Sequence, residues 1–285
     1  MNIFTPFDPW QSKLCTCPPK YSLSPYTGCG HNCLYCYASS YILNFFNSRP
    51  KKNFIIRLKQ EIKQLPQNSY ITIASSSDPY LPLEKNLRLT RHTLKILKDY
   101  NVKIMLVTKS DFIISDIDIL KEIKNVIISF TITTLNKTLA KKLEPKAPSP
   151  KRRLKAIEKL AKKFTVVCRF DPLIYPLNTQ NIKDIIRELR NNGIRQIITS
   201  TYKAKPDNLK RMMSAFSKHK SLWQNLYLKK GEKKGRYIYL PKEIREKLIL
   251  AVKEEASSFK LAFSSCREGL EKLNTHICDG SSFFK

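Results

Sequence analysis

The chain has 285 residues, 42% of them hydrophobic, with 52 Lys and Arg against 23 Asp and Glu and a formal net charge of +29. That length allows one large domain or two small ones with a sizeable core. No apolar run approaches the ~20 residues of a membrane span, and no basic-then-apolar start resembles a signal peptide, which points to a soluble, cytoplasmic protein without membrane contact. Seven glycines spell neither G-x-G-x-x-G nor G-x-x-x-x-G-K-[ST], so the dinucleotide and P-loop fingerprints are excluded.

Residues 1–20 form a polar N-terminal segment carrying Cys15 and Cys17. A strand near 21–24 precedes the run Gly28-Cys29-Gly30-His31-Asn32-Cys33-Leu34-Tyr35-Cys36-Tyr37. Helical periodicity follows over 53–64, a strand over 70–74, and a helix capped by Thr90 that carries Leu94, Ile96 and Leu97. The pattern then predicts a strand at 102–108, a short helix at 116–123 and a strand at 126–133. A helix from Pro150 to about Lys163 takes Ser149 as its N-cap. A strand at 164–170, a helix at 181–191 closed by Gly193, and a strand at 196–200 complete the series. Strands alternating with helices at this spacing give an α/β fold of βα units on a parallel sheet, about six units before residue 202. Residues 203–285 are basic, helical over 207–219 and 241–256 and strand-like over 260–264, and read as a C-terminal extension packed on residues 21–202.

Cys29, Cys33 and Cys36 have C-x3-C-x2-C spacing. An iron–sulfur cube needs one ligand per iron, usually four thiolates. Three thiolates from one loop leave the fourth iron open, and an open position makes a metal site reactive. Zinc on these cysteines plus His31 is the alternative, but His31 sits only two residues from each flanking cysteine, awkward for a closed tetrahedron. Buried free thiols are the third reading. With no secretory signal, eight cysteines suggest metal or redox chemistry more than disulfides.

The triplet with an aromatic before its last cysteine resembles the radical S-adenosylmethionine (SAM) superfamily. Ser75-Ser76-Ser77-Asp78-Pro79-Tyr80, Thr108-Lys109-Ser110, Leu143-Glu144-Pro145-Lys146-Ala147-Pro148-Ser149-Pro150 and Arg169-Phe170-Asp171-Pro172 are similar to its spore photoproduct lyase-like branch, the DNA repair photolyase-like proteins. The resemblance covers roughly residues 20–200 and implies a partial (β/α)6 TIM-type barrel. It implies a [4Fe–4S] cluster that cleaves SAM reductively to a 5′-deoxyadenosyl radical, with a flavodoxin- or ferredoxin-like electron donor and lyase- or transferase-type chemistry. Tyr35 would then contact the adenine. The turn Ser75, Ser76, Ser77 and Asp78 would replace the Gly-Gly-Glu-like turn that holds the SAM amino group. Arg169 would pair with the SAM carboxylate or join a structural ion pair, with Lys109 and Ser110 as further candidates. Spore photoproduct lyase proper has a hydrogen-donating cysteine where this chain has serines. A hydroxyl is no substitute for that weak S–H bond, so dimer repair by that route is not expected. Cys168, alternating with Arg169 on one strand, would face the helices.

Cys15, Cys17, Cys266 and Cys278 remain, enough for an auxiliary [4Fe–4S] cluster, a zinc site or separate thiols; His276 reads as a surface residue. The charge suits nucleic acid. Lys151-Arg152-Arg153, Lys229-Lys230 and Lys233-Lys234, the last interleaved with Tyr227, Tyr237 and Tyr239, are candidate contacts. Three functions follow: a radical SAM enzyme on nucleic acid, the same chemistry on a peptide, lipid or small metabolite, or a non-enzymatic zinc-bearing nucleic-acid-binding protein.

Overall fold

A computed structural model describes residues 2–8, 12–74 and 76–285. It is a mixed α/β structure built on one eight-stranded sheet. Seven strands are parallel: β1 (Tyr21–Leu23), β2 (Tyr70–Ile73), β3 (Lys103–Thr108), β4 (Asn125–Thr131), β5 (Thr165–Leu173), β6 (Gln196–Thr201) and β7 (Ala262–Ser265). Thr5–Pro6 adds an antiparallel edge against β1. The parallel strands follow one another in strict chain order. A doubly wound sheet would reverse order at a switch point; this order fits an open βα barrel.

The two faces of the sheet differ as that architecture requires. Ile71, Ile104, Leu106, Ile128, Phe130, Val166, Cys168 and Ile197 pack with helix residues such as Leu58, Leu94, Leu97, Ile157 and Ile186 in one large core. The opposite face holds a smaller cluster, Tyr70, Met105, Ile127, Val167 and Ile198, covered by Phe283 and Phe284 rather than by an α-helix. Period-two alternation assigns Arg169 to that inner face and Cys168 to the helical one. Burial pushes the Cys168 thiol up to about 12, in keeping with an inert core residue.

The helices form close to where periodicity predicts them: Phe54–Glu61, Leu89–Leu97, Pro150–Ala161, Ile182–Asn191, Pro206–Ala215 and Lys242–Ser258. Ser149 caps as expected, its side chain accepting from Arg152 N. Gly193 ends its helix at φ +89°. Two readings need correction. Thr90 does not cap; it lies buried inside Leu89–Leu97, and the first-turn N–H groups of Thr90 and Arg91 bond the Glu84 carboxylate at 3.0 and 3.1 Å. The sheet also does not stop near residue 202, because β7 pairs in parallel with β6 and supplies a further strand from within residues 203–285. The helix Lys137–Leu143 went unpredicted; seven residues are too few for a clear period.

Candidate active site

The cysteine run leaves β1 at the C-terminal end of the sheet, where βα folds place functional loops. Gly28 begins it at φ +77°, and a Cβ there would fall 2.5 Å from Phe45 O. Only glycine allows that approach, which lets Cys29 N bond the same carbonyl at 2.7 Å. Cys33 is buried, and Cys29 and Cys36 are half-buried. Burial pushes the Cys29 thiol up to about 12 and raises Cys33 and Cys36 as well. These thiols are therefore neutral until a bound metal draws off their protons.

Ties from distant parts of the chain hold the loop. Leu34 N donates to Leu143 O at 2.9 Å, and Lys146 N to His31 O at 3.2 Å. Its outward carbonyls are taken by the Pro206–Ala215 helix: Asn208 Nδ2 bonds Tyr35 O at 3.1 Å, and Arg211 bonds Leu34 O at 3.2 Å and Cys36 O at 3.0 Å. Asp207 of that helix accepts from Ser39 and Ser40. None of these helix residues stood out in sequence, because nothing local marks a contact about 170 positions away.

Tyr35 points into the protein. Its hydroxyl donates to Glu144, which also accepts from Thr133 Oγ1 at 2.8 Å and pairs with Arg153. Arg153 further bonds Pro148 O and Thr131 O at 2.8 and 3.1 Å. Burial alone would raise the Glu144 carboxyl, but Arg153 and Lys109 outweigh it and hold it at about 2. Arg153 is thus a buried partner of Glu144 and not one of the surface cations suggested by Lys151-Arg152-Arg153.

Asp78 is committed to the protein. Its carboxylate accepts from Thr108 Oγ1 and Lys109 N, both at 2.7 Å, and from Tyr80 N at 2.9 Å. His31 Nε2 lies 3.0 Å away, at ion-pair distance, although neither ring nitrogen makes a well-angled hydrogen bond. Burial would push Asp78 up, yet His31, Lys109 N–H and Thr108 overcome it and hold it at about 2. Asp78 therefore ties the cysteine loop to the end of β3, and His31 is turned to it rather than presented as a zinc ligand. Ser77 Oγ donates to Gly28 O at 2.6 Å. Ser76 is half-buried beside it, and Ser75 lies outside the described residues.

The cation that faces the triplet is Lys109. It interacts electrostatically with all three thiols, and its Nζ sits 5.9 Å from the Tyr35 ring centroid. Arg169 reaches the same inner face, as expected, but its charged neighbours are Asp171 and the second cysteine group, Cys17, Cys266 and Cys278. The structure thus places Lys109, not Arg169, beside the cysteine loop. Ser110, its neighbour, caps the turn that follows and accepts from Phe112 N.

Among the described residues, no set of three or more His, Cys, Asp or Glu is gathered around a single-ion position. A cube spreads its ligands over separate corners, so three thiols on one loop need not converge as ligands of one zinc must. The donor set is three thiols with no fourth protein ligand aligned, and Ser129 Oγ is buried on β4 without a hydrogen-bond partner, on the inner face by alternation. These residues fit an iron–sulfur cube with one corner left for a small polar ligand. A cavity of about 620 Å³ lies beyond His31, lined by Tyr80, Phe112 and Arg152 and by none of the three cysteines.

Fold and loop together define an iron–sulfur protein with a single-loop trithiolate site at the end of a parallel βα sheet. The pattern of the radical SAM superfamily matches residues 23–189, more than half of the chain, and the chain belongs to that superfamily. Membership implies a [4Fe–4S] cluster and SAM. A mutant spore photoproduct lyase with bound AdoMet and dinucleoside spore photoproduct superposes at TM-score 0.64 and 17% identity, over 86% of this chain and 75% of that one. SuiB of Streptococcus suis bound to S-adenosylmethionine superposes at TM-score 0.56 and 15% identity, over 86% and 50%. At those identities the likeness is one of fold. Uncharacterized protein MJ0683 of Methanocaldococcus jannaschii is 32% identical over 145 residues, half of this chain and 55% of that protein. Uncharacterized protein ORF301 of Acidianus two-tailed virus is 28% identical over 191 residues, 60% and 63%. The alignments thus span less than two thirds of either relative. Among the described residues, no helix is long and apolar enough to cross a membrane.

Proposed function

We propose that this protein is a radical SAM enzyme acting on nucleic acid, built on a partial βα barrel whose basic C-terminal part forms the substrate side. Cys29, Cys33 and Cys36 would hold the cluster. When bound, it supplies the electron that cleaves SAM to a 5′-deoxyadenosyl radical, replenished by a flavodoxin- or ferredoxin-like donor. Lys109, beside the triplet, would receive the SAM carboxylate as a charge-assisted partner. Ser76 and Ser77, beside Gly28, offer hydroxyls and carbonyls to its amino group, with Asp78 holding that turn in place. Tyr35, buried with its hydroxyl locked to Glu144, would fix the stretch of loop that contacts the adenine.

The observation that carries the nucleic-acid reading is a rim of aromatics and cations beside Cys36. Tyr37 and Tyr41 are 39% and 47% exposed. Tyr37 meets Tyr237 edge to face at 5.4 Å, and Lys205 Nζ lies 5.3 Å from the Tyr41 ring and 4.8 Å from the Tyr237 ring. Exposed aromatic faces backed by a largely buried cation suit the stacking of bases. Tyr227 and Tyr239 are buried and take no part in that rim, which narrows the sequence-based expectation to Tyr237. The fold neighbour with bound dinucleoside spore photoproduct supports this reading.

SAM cleavage under anaerobic reduction, with DNA, RNA and nucleic-acid-free cell fractions as additions, tests the proposal. Salt-dependent binding of one nucleic acid and a changed cleavage rate are expected. Stimulation only by the peptide or metabolite fractions would move the substrate to those classes. A colourless zinc protein would remove the radical reading.

A further inference from the structure

Four cysteines lie outside the SAM site, and they meet. Cys15 and Cys17 precede β1, Cys266 follows β7, and Cys278 sits in the C-terminal turn. Cys17 Sγ is 3.2 Å from Cys278 Sγ, and all four thiols are free, with Cys15 an electrostatic neighbour of Cys17 and Cys266 of Cys278. The gathering is built by specific contacts. Lys20 and Asp279 form a buried ion pair that Tyr70 OH joins at 2.9 Å. Gln196 Nε2 bonds Ile277 O at 3.0 Å, Ser264 Oγ bonds Cys278 O at 3.2 Å, and Cys266 N bonds Thr199 O at 2.8 Å. Gly280 lies so close to β5 that a Cβ would come 3.1 Å from Val167. Residues 17–20 and 266–280 are thereby fixed against one sheet.

The surroundings are not those of thiols buried as small hydrophobes. Arg169, Lys203 and Arg267 are the charged neighbours of the group, and a tetrathiolate cluster carries the net negative charge that such cations favour. The 3.2 Å contact is longer than a 2.05 Å disulfide. Zinc sites typically pair cysteines with two to four residues between them; Cys15 and Cys17 have one, and Cys266 and Cys278 have eleven.

We propose that Cys15, Cys17, Cys266 and Cys278 hold a second [4Fe–4S] cluster. Four thiolates occupy all four irons, so this cluster is closed. It takes no SAM and no substrate at iron, in contrast to the triplet site. Its ligands come from both sides of the βα series, so loading it also staples residues 15–17 to residues 266–278. The proposal uses none of the triplet ligands and stands apart from the SAM reading.

The test is iron and sulfide per chain after anaerobic reconstitution, with zinc measured alongside. Wild type should hold about eight irons, and a Cys15→Ser/Cys17→Ser variant and a Cys29→Ala/Cys33→Ala/Cys36→Ala variant about four each. The reduced triplet variant should keep an electron paramagnetic resonance signal that SAM does not alter, while SAM alters the signal of the Cys15→Ser/Cys17→Ser variant. Four irons in wild type with none in the triplet variant, or one zinc per chain beside four irons, would overturn the proposal. If the Cys15→Ser/Cys17→Ser variant does not fold, the triplet variant decides alone: it must retain four irons. Failure of the SAM reading would look different, as a SAM-insensitive signal at the triplet with the triplet variant's iron count unaffected.

Discussion

Arg153→Met asks whether Tyr35 is held by buried charge or by packing alone. Methionine keeps most of the side chain's apolar length but removes the donors to Pro148 O, Thr131 O and Glu144. Glu144 is left 2% exposed, with two hydroxyls and Lys109 for company. Breaking one side of a buried ion pair typically costs about 3–5 kcal/mol. Holding Glu144 at about 2 instead of the ordinary 4.5 corresponds to about 3 kcal/mol at neutral pH, the low end of the same range. The folded pKa lies below the unfolded one, so that stabilisation is complete above about pH 5 and is lost as pH falls through about 2. In urea denaturation at pH 7, Arg153→Met should lose about 3–5 kcal/mol. The double variant Glu144→Gln/Arg153→Met should recover part of it, because no unpaired charge stays buried. Should Arg153→Met fail to fold, Glu144→Gln alone serves: its deficit relative to wild type must shrink between pH 6 and pH 3. A single variant within about 1 kcal/mol of wild type, or a double no better than the single, would refute the electrostatic account.

Four further variants probe the site. Lys109→Met should leave iron content intact while weakening SAM binding by the about 1.5–3 kcal/mol of a charge-assisted hydrogen bond, read from SAM titration of the reduced enzyme; unchanged affinity would release Lys109 from that role. Gly28→Ala should lower iron at the triplet, since its φ of +77° and the 2.5 Å approach to Phe45 O leave no room for a methyl group; full iron content would contradict this. Arg211→Met frees Leu34 O and Cys36 O, and should speed loss of visible absorbance under a chelator with little change in urea stability. Tyr41→Ala, which removes an exposed ring of the rim, should weaken nucleic-acid binding with little change in its salt slope, whereas unchanged affinity would place the bases elsewhere.

What the sequence could show was what repeats along it. Alternation on β5 separates Cys168 from Arg169 correctly because a strand's faces follow from geometry alone. The triplet is legible because all its ligands lie within eight residues. Thr90 misled because a carboxylate six residues earlier, Glu84, supplies the cap, and only the turn between them brings it there. Arg153 misled because its neighbours Lys151 and Arg152 are solvated, and composition cannot tell the one cation of three that turns inward to Glu144. Asp78 looked free to bind a cofactor; three hydrogen bonds and His31 show it spoken for.

The same limit explains why residues 203–285 read as an appendage. Their sequence is basic and carries few strong motifs, yet β7 extends the sheet and the Pro206–Ala215 helix binds three successive carbonyls of the cysteine loop. A loop with two residues at positive φ, Gly28 and Asn32, has little reason to hold one shape by itself. Asn208 and Arg211 satisfy its outward carbonyls from one side, while Tyr35 and Glu144 fix it from the other. Lys205, which begins that helix, is also the cation set between Tyr41 and Tyr237. A shift of this one element would therefore move the cysteine loop and the aromatic rim together. That is how a distant, weakly marked stretch of chain can couple the proposed substrate surface to the proposed cluster site.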